Sequence, residues 1–227
     1  MKKTYLTVTA HPDDEVLGFG ASSYVLSKKG HKIYNCILSG SVDARQFRPK
    51  ISDLHEDTSS AQKIIGAEKP ILGSFPNIKF NTVPHLELVQ FIEKVIEEIQ
   101  PDYIFTHHPS DLNDDHLCVS RACQAAARLF QRREDIKQIK GLYFMEIPSS
   151  TDWAFPSNVS PFSPNTFIEV GIEGVKRKIE SLEEYRGVMR PYPHPRSYEV
   201  LEGLAAFRGG QSGVKYAEAF QSVFQII

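Results

Sequence analysis

Thr4-Tyr5-Leu6-Thr7-Val8-Thr9-Ala10-His11-Pro12-Asp13-Asp14-Glu15 is the stretch on which the fold turns. The first ten residues of the chain carry β-branched and aromatic side chains over a strand's length, and the apolar run stops at His11. Four ionisable side chains then leave the strand within five positions, a poor structural element because each would need a partner if buried. Helix-compatible residues run from Ser22 to Lys29 and end at Gly30, a natural helix stop, and Lys32-Ile33-Tyr34-Asn35-Cys36-Ile37-Leu38 reads as a second strand. A strand, a helix and a strand in about 38 residues have the size of a βαβ unit, with parallel strands and a right-handed crossover.

The alternation continues outward. A helix is expected around Ser52 to Ile65, a short strand at Ile71-Leu72, a periodic helix from Pro84 to Ile99 and a strand Tyr103-Ile104-Phe105-Thr106. Leu86, Val89, Ile92, Val95, Ile96 and Ile99 recur at helical spacing, so they are core and carry no functional claim. Further on come a helix from Ala122 to Leu129, a strand from Gly141 to Ile147 and a helix from Val175 to Arg186. The Pro- and Ser-rich stretch from Pro148 to Pro164 is expected to be an ordered surface loop serving as lid or rim. Three prolines keep Met189 to Arg196 out of regular structure, and Arg208-Gly209-Gly210-Gln211-Ser212-Gly213 reads as a Gly-rich turn before an apolar tail. The expected architecture is an α/β sandwich forming one domain over residues 1–227.

Composition bounds the function. The 227 residues are 41% hydrophobic and 24% charged, enough for one globular domain with a sizeable core. Twenty-six basic against 28 acidic residues leave no bulk attraction to phosphate backbones or anionic lipid, so nucleic acid is not an expected partner. The N-terminal apolar run is too short for a secretory leader and no window suits a membrane helix, so a cytoplasmic protein is expected. Cys36, Cys118 and Cys123 form no C-x-x-C pair, which fits a reducing compartment better than a disulfide scaffold or a thiolate zinc site.

The chemistry sits at two strand ends. His11 and Asp14 are three residues apart across a strand-to-helix bend, where open α/β sheets place their ligands. A nitrogen and a carboxylate oxygen there suit zinc or another divalent transition metal, with the adjacent Asp13 left to act on a metal-bound water. On spacing alone, an equally good reading makes Asp13 or Asp14 a helix N-cap and His11 a turn histidine. A second cluster tips the balance: Thr106-His107-His108-Pro109-Ser110-Asp111-Leu112-Asn113-Asp114-Asp115-His116 follows another strand and again opens a helix. His116 becomes the third ligand, and a His/Asp/His set with an open fourth position describes a catalytic site, since structural zinc sites are closed and rely on cysteine.

Ala-His-Pro-Asp-Asp-Glu at 10–15 and Asp-His at 115–116, with Asp111 upstream, resemble the PIG-L/LmbE family of zinc-dependent de-N-acetylases. Weaker matches are Glu56 and Ala61, Lys178 with Leu182 and Tyr185, and Gly209 with Tyr216-Ala217-Glu218-Ala219-Phe220. The resemblance implies a Rossmann-like, mostly parallel sheet flanked by helices, with His11, Asp14 and His116 as zinc ligands, Asp13 as general base, and Asp115 and Asp111 in support. It also implies hydrolysis of a small N-acetylglucosamine-type substrate to free amine and acetate, and a tendency to homo-oligomerise. One departure matters: where many members carry a histidine three positions before the ligand histidine, this chain has Asn113. An amide can donate to an oxyanion but cannot shuttle a proton near neutral pH, so the protonic role falls to Asp13 or another imidazole, His194 first and His107 or His108 next.

Arg45, Arg48 and Arg196 are candidates to hold phosphate or sugar hydroxyls, and Arg208 shares their ambiguity with a solvated role. Trp153 and Phe155 could stack on a pyranose or pack beneath their loop. Arg132-Arg133-Glu134-Asp135 reads as solvated surface. Two rival functions stand beside the de-N-acetylase: a sugar-nucleotide-binding module without catalysis, disfavoured because no phosphate-cradling glycine motif occurs, and a two-metal phosphoesterase using Asp111, Asp114 and Asp115.

Overall fold

The computed structural model describes residues 1–40, 50–155 and 160–227. Arg45 and Arg48 lie outside the described residues. Among the described residues, seven strands, β1 (Thr4–Thr9), β2 (Lys32–Ile37), β3 (Ile71–Leu72), β4 (Tyr103–His107), β5 (Gly141–Met145), β6 (Thr166–Glu169) and β7 (Ala217–Gln225), form one sheet in the order β3-β2-β1-β4-β5-β7-β6. The first five of that order run parallel, and β7 is antiparallel to both β5 and β6. The expected mostly parallel, Rossmann-like α/β sheet is what the chain forms.

Among the described residues, six α-helices cover it: α1 (Asp14–Lys28), α2 (Ile51–Ile64), α3 (His85–Ile99), α4 (Asp114–Ala126), α5 (Gly171–Glu184) and α6 (Tyr198–Ser212). On one face α3 lays Leu88, Val89, Ile92, Val95 and Ile96 against β1 and β4, beside Val119, Ala122 and Cys123 of α4. Each such side chain contributes roughly 1.5–3 kcal/mol when fully buried. On the other face α1, α2, α5 and α6 enclose Phe19, Ile65, Phe105, Ile179, Leu182, Tyr185 and Phe220. Among the described residues, no helix is long and apolar enough to cross a membrane.

Three expectations change. The helix placed over Ala122 to Leu129 begins instead at Asp114, because Asn113 caps it by accepting the Asp115 amide at 2.9 Å, with acids filling its first turn. The glycine run 208–213 is the last part of α6 and not a turn. Gly209 is there because a Cβ would lie 2.6 Å from the backbone of Lys215, and only Gly213, at φ 79°, ends the helix in a left-handed cap. The tail, expected only as apolar, is a nine-residue strand.

α1 carries an inserted ion pair. Lys178 of α5 donates from Nζ to the Leu17 carbonyl at 2.6 Å and to Glu218 Oε1 of β7 at 2.7 Å, while Glu218 accepts the amides of Ser22 at 2.7 Å and Ala21 at 3.3 Å. The pair thus takes over backbone groups of α1 in a nearly dry position, fixing the first turns of the helix relative to α5 and β7. Lys178→Met leaves a buried carboxylate without its cation, and is expected to lower unfolding free energy by about 3–5 kcal/mol. Urea denaturation checks this as a lowered midpoint at unchanged slope; a loss below ~1 kcal/mol would show the pair to be dispensable.

Candidate metal centre

Strand order reverses between β1 and β4: from β1 the chain proceeds outward to β2 and β3, then returns to β4 on the other side. Ligands of open α/β sheets bind at the carboxyl ends of strands at such a switch point. His11, Asp13 and Asp14 leave the end of β1, and His107 ends β4, with Asp111 and His116 following it.

Asp13 occupies the N-cap position of α1 but its side chain makes no capping hydrogen bond. Its backbone sits at φ 107°, ψ −29°, a left-handed conformation that a non-glycine residue adopts at a cost, and one that gathers at functional sites. The N-cap reading of Asp13 therefore fails; the strained bend aims its carboxylate elsewhere.

His11, Asp14 and His116 bring one ligand atom each within 4.8 Å of one another, and all three are buried. Asp14 Oδ2 is 3.3 Å from His11 Nδ1 and 3.2 Å from His116 Nε2. Both ring nitrogens of His116 are buried without a hydrogen bond. Carboxylate oxygens of Asp14 and Asp111 approach them at 3.2 and 3.1 Å, but off the line of an N–H. Short contacts without hydrogen-bond geometry, among deeply buried groups, are what a ligand set shows when its shared partner is a cation. Electrostatics agree: burial works against an imidazolium, yet the Asp14 and Asp111 carboxylates push His116 up to about 10. Burial likewise opposes ionisation of Asp14, but His116 and His11 hold it well below the usual carboxylate range. The pocket demands positive charge, and the donor set of two imidazoles and a carboxylate fits a divalent transition metal.

His107, Asp111 and His116 form a second group of the same size. Tautomer chemistry disfavours it. His107 Nε2 accepts the Ala10 amide at 2.9 Å, so the ring proton sits on Nδ1 and that nitrogen has no lone pair to offer. Burial and the neighbouring His116 pull His107 down to about 3, which keeps it neutral.

His11 and His116 each face a second carboxylate on the ring nitrogen turned away from Asp14, an arrangement that metal-bound histidines usually have. Asp115 Oδ2 lies 2.9 Å from His11 Nε2 and accepts the Ile78 amide at 2.7 Å, while its Oδ1 accepts the Phe80 amide at 2.9 Å. Asp111 faces His116 Nδ1 and accepts from Ser150 Oγ at 2.6 Å and Thr151 Oγ1 at 2.9 Å. Asp111 and Asp115, expected to support the site, each face one imidazole of the cluster, and the 78–80 and 150–151 segments that hold them carry no motif in the sequence. Ile78, at φ 55°, is a β-branched residue in the left-handed region and lines the cavity, a strain that no local sequence signal announces.

His11, Asp13, Asp14, Asn77, Ile78, Asn113, His116, Ser150 and Arg196 line one cavity of 180 Å³. Arg196 donates from Nη1 to Asp13 Oδ2 at 3.0 Å and from Nε to Ser149 Oγ at 2.7 Å. It thus reaches the site by holding Asp13 and joining the 149–151 turn to the proline-rich loop. Asn113 spends its Oδ1 on the α4 cap, which leaves the amide Nδ2 as its donor. Behind Asp13, Glu15 Oε2 accepts the Asp13 amide at 3.1 Å and Oε1 accepts from Tyr185 Oη at 2.5 Å and Gln62 Nε2 at 2.9 Å. Burial pushes Glu15 up to about 7. The motif by itself assigns Glu15 no role, and its i+2 relation to the bend is the signal for the one it has.

Other candidates go elsewhere. His194 is exposed, does not line the cavity, and accepts the Arg196 amide on Nδ1 at 3.0 Å. Arg196, two residues on from His194, lines the cavity in its place. His108 is tied to Ser110 through Nδ1 at 2.7 Å and edges against Phe144 and Phe162. Arg208 forks onto Glu146 through Nε and Nη2. Trp153 and Phe155 stand 51% and 67% exposed in the loop that follows the 149–151 turn, and do not pack beneath it. Arg133 bridges Glu97 at 2.8 Å on the surface, as expected of a solvated run.

A family model described as GlcNAc-PI de-N-acetylase, PIG-L, matches residues 6–127, more than half of the chain. A protein of Escherichia coli (strain K12) described as an uncharacterized deacetylase, YaiS, is 28% identical over 193 residues, covering 82% of this chain and 91% of that protein. Two solved structures share the fold. The N,N'-diacetylchitobiose deacetylase of Pyrococcus horikoshii superposes with a TM-score of 0.75 at 18% identity, over 97% of this chain and 84% of that one. GalB, the 4-carboxy-2-hydroxymuconate hydratase of Pseudomonas putida KT2440, superposes at 0.78 and 20% identity, over 100% and 98%.

Proposed function

The chain belongs to the PIG-L family of GlcNAc-PI de-N-acetylases, and from that membership we propose that it is a metal-dependent hydrolase removing the acetyl group of an N-acetylated sugar of the N-acetylglucosamine type. One observation carries the reading. A buried His/Asp/His set, whose His116 nitrogens have no hydrogen-bond partner, opens on the same cavity as a carboxylate held by an arginine. We take the whole of residues 1–227 as one domain, since β1 and β7, from opposite ends of the chain, belong to one sheet.

His11 Nδ1, Asp14 and His116 Nε2 are the groups that would hold the metal, zinc in our assignment. Bound there, such an ion acidifies a water and polarises an amide carbonyl. Asp13 is the base: it accepts the proton of the attacking water and returns it to the departing nitrogen. Arg196, donating from Nη1 to Asp13 Oδ2 at 3.0 Å, keeps the Asp13 carboxylate turned to the cavity. Asn113 Nδ2 donates to the oxygen of the tetrahedral species, the part of the missing histidine's role an amide can fill. Water oxygen bonds to the acetyl carbon, the carbon–nitrogen bond breaks, and acetate and free amine leave.

The test is acetate release from N-acetylglucosamine glycosides by protein purified without chelator or metal-affinity resin, with metal measured by elemental analysis. About one transition metal per chain and acetate matched by free amine are expected, with activity lost to a chelator and restored by zinc. Protein that takes up no zinc, or zinc-loaded protein that releases no acetate, would overturn the reading. The product assay also separates hydrolysis from a hydration, which a shared fold does not.

A further inference from the structure

His107 is the one imidazole of the centre that the reaction does not use. It is fully buried at the end of β4, where an apolar residue would pack without the burden of a polar ring. Its Nδ1 has no hydrogen-bond partner, so its retention there is not explained by satisfying its own polar atoms. What distinguishes the ring is its neighbours. Nε2 accepts the amide of Ala10, the residue immediately before His11, at 2.9 Å. The same nitrogen lies 3.6 Å from Asp14 Oδ2. One ring face lies flat on His116, with centroids 3.8 Å apart and an interplanar angle of 15°. A single side chain therefore touches the backbone leading into the first member of the ligand set and the side chains of the other two.

We infer that His107 is a positioning residue for the metal centre: its Nε2 pins the end of β1 at the approach to His11, and its ring face sets the plane of His116. The inference rests on the metal-dependent reading above. It assigns His107 no contact with the metal, as the tautomer fixed by the Ala10 amide leaves no free lone pair on that ring.

Metal affinity, measured by competition with a chromophoric chelator, tests it with His107→Gln and His107→Phe. Glutamine can still accept the Ala10 amide but has no ring to lay on His116; phenylalanine keeps a ring face and loses the acceptor. Each is expected to weaken binding by roughly 10–100-fold, the range found when groups supporting metal ligands are removed. The visible spectrum of the cobalt-substituted protein is expected to change with it, since the planes and distances of its ligands shift. Melting of the metal-free proteins supplies the control: a merely structural role would lower it while leaving affinity and spectrum as in the wild type. Unchanged affinity and spectrum in both variants would overturn the inference with the metal site intact. A wild type that binds no metal would instead overturn the functional reading, and this one with it. Should either variant fail to fold, the other decides, since each removes one of the two contacts.

Discussion

Asp13→Asn is expected to lower kcat by roughly 10²–10⁴-fold, the usual contribution of a positioned general base, while metal content stays at the wild-type level. The substitution isolates the proton. Asparagine has the same shape and its Oδ1 can accept from Arg196 where Asp13 now does, at 3.0 Å. Its side chain cannot take up a proton from water. Folding is no obstacle, because the φ of 107° at this position is one that asparagine tolerates better than almost any residue but glycine. Arg196 loses an ionic partner, at small cost for a side chain that is 25% exposed. Steady-state kinetics with elemental analysis of the same preparation decides. Full kcat would move the base to another group, and loss of metal would make Asp13 a ligand.

This design depends on a feature that the sequence did not announce. The motif at 10–15 identified which side chains cluster, because ionisable residues crowded against an apolar strand have few bland explanations. It could not say which carboxylate faced which way. Spacing allowed Asp13 to be a cap, and only the left-handed bend, with the Asp13 amide held by Glu15 Oε2, excludes that. His116 was legible for the same reason as His11: a polar cluster at a strand end, in a fold whose strand order brings the two ends side by side.

What the sequence hid is mostly long-range. Arg196 on Asp13 joins residues 183 positions apart, and nothing near either one encodes the pairing. His194 drew attention because imidazoles do proton chemistry; the turn that ties its Nδ1 to the Arg196 amide is a backbone property. The 78–80 amides that grip Asp115 are invisible to side-chain motifs, since any residue supplies an N–H. Local signals misled in α6, where three glycines suggested a turn. Gly209 is dictated by the backbone of Lys215 pressing on the helix, and tertiary packing outweighs the roughly 1 kcal/mol that a mid-helix glycine costs. The expected single-face helix pattern held in α3 for Val89, Ile92, Val95 and Ile96, but not for Leu86, which is 63% exposed in the first turn of the helix and not core.

Fold and family constrain the reaction less than the site does. A hydratase and a deacetylase superpose on this chain almost equally well, so the sheet and its helices do not choose between adding water to a carbon–carbon double bond and hydrolysing an amide. Both chemistries would use an activated water and a base. An amide demands in addition a proton for the leaving nitrogen, which in the proposed mechanism Asp13, once protonated by the attacking water, gives up.

His116→Ala should therefore have the largest effect of any single substitution: no detectable transition metal after purification, and activity reduced by at least roughly 10³-fold, since a catalytic metal contributes several kcal/mol to the transition state. The side chain is 2% exposed and central, sharing Asp14 with His11 and Asp111 with the 150–151 hydroxyls, so neither the exposed imidazole of His194 nor the buried one of His108, tied to Ser110, can replace it. Thermal unfolding gives a second readout that does not pass through activity. A metal bound by the folded chain raises stability by RT ln(1 + [M]/Kd), about 4 kcal/mol when free metal exceeds Kd a thousandfold. Wild-type protein should then lose melting temperature on chelation and regain it with zinc. The variant should melt at one temperature under both conditions, lower than metal-free wild type because Asp14 and Asp111 have lost the imidazolium between them. A variant that still gains stability from zinc would place the metal elsewhere, and the ligand set would have to be redrawn without His116.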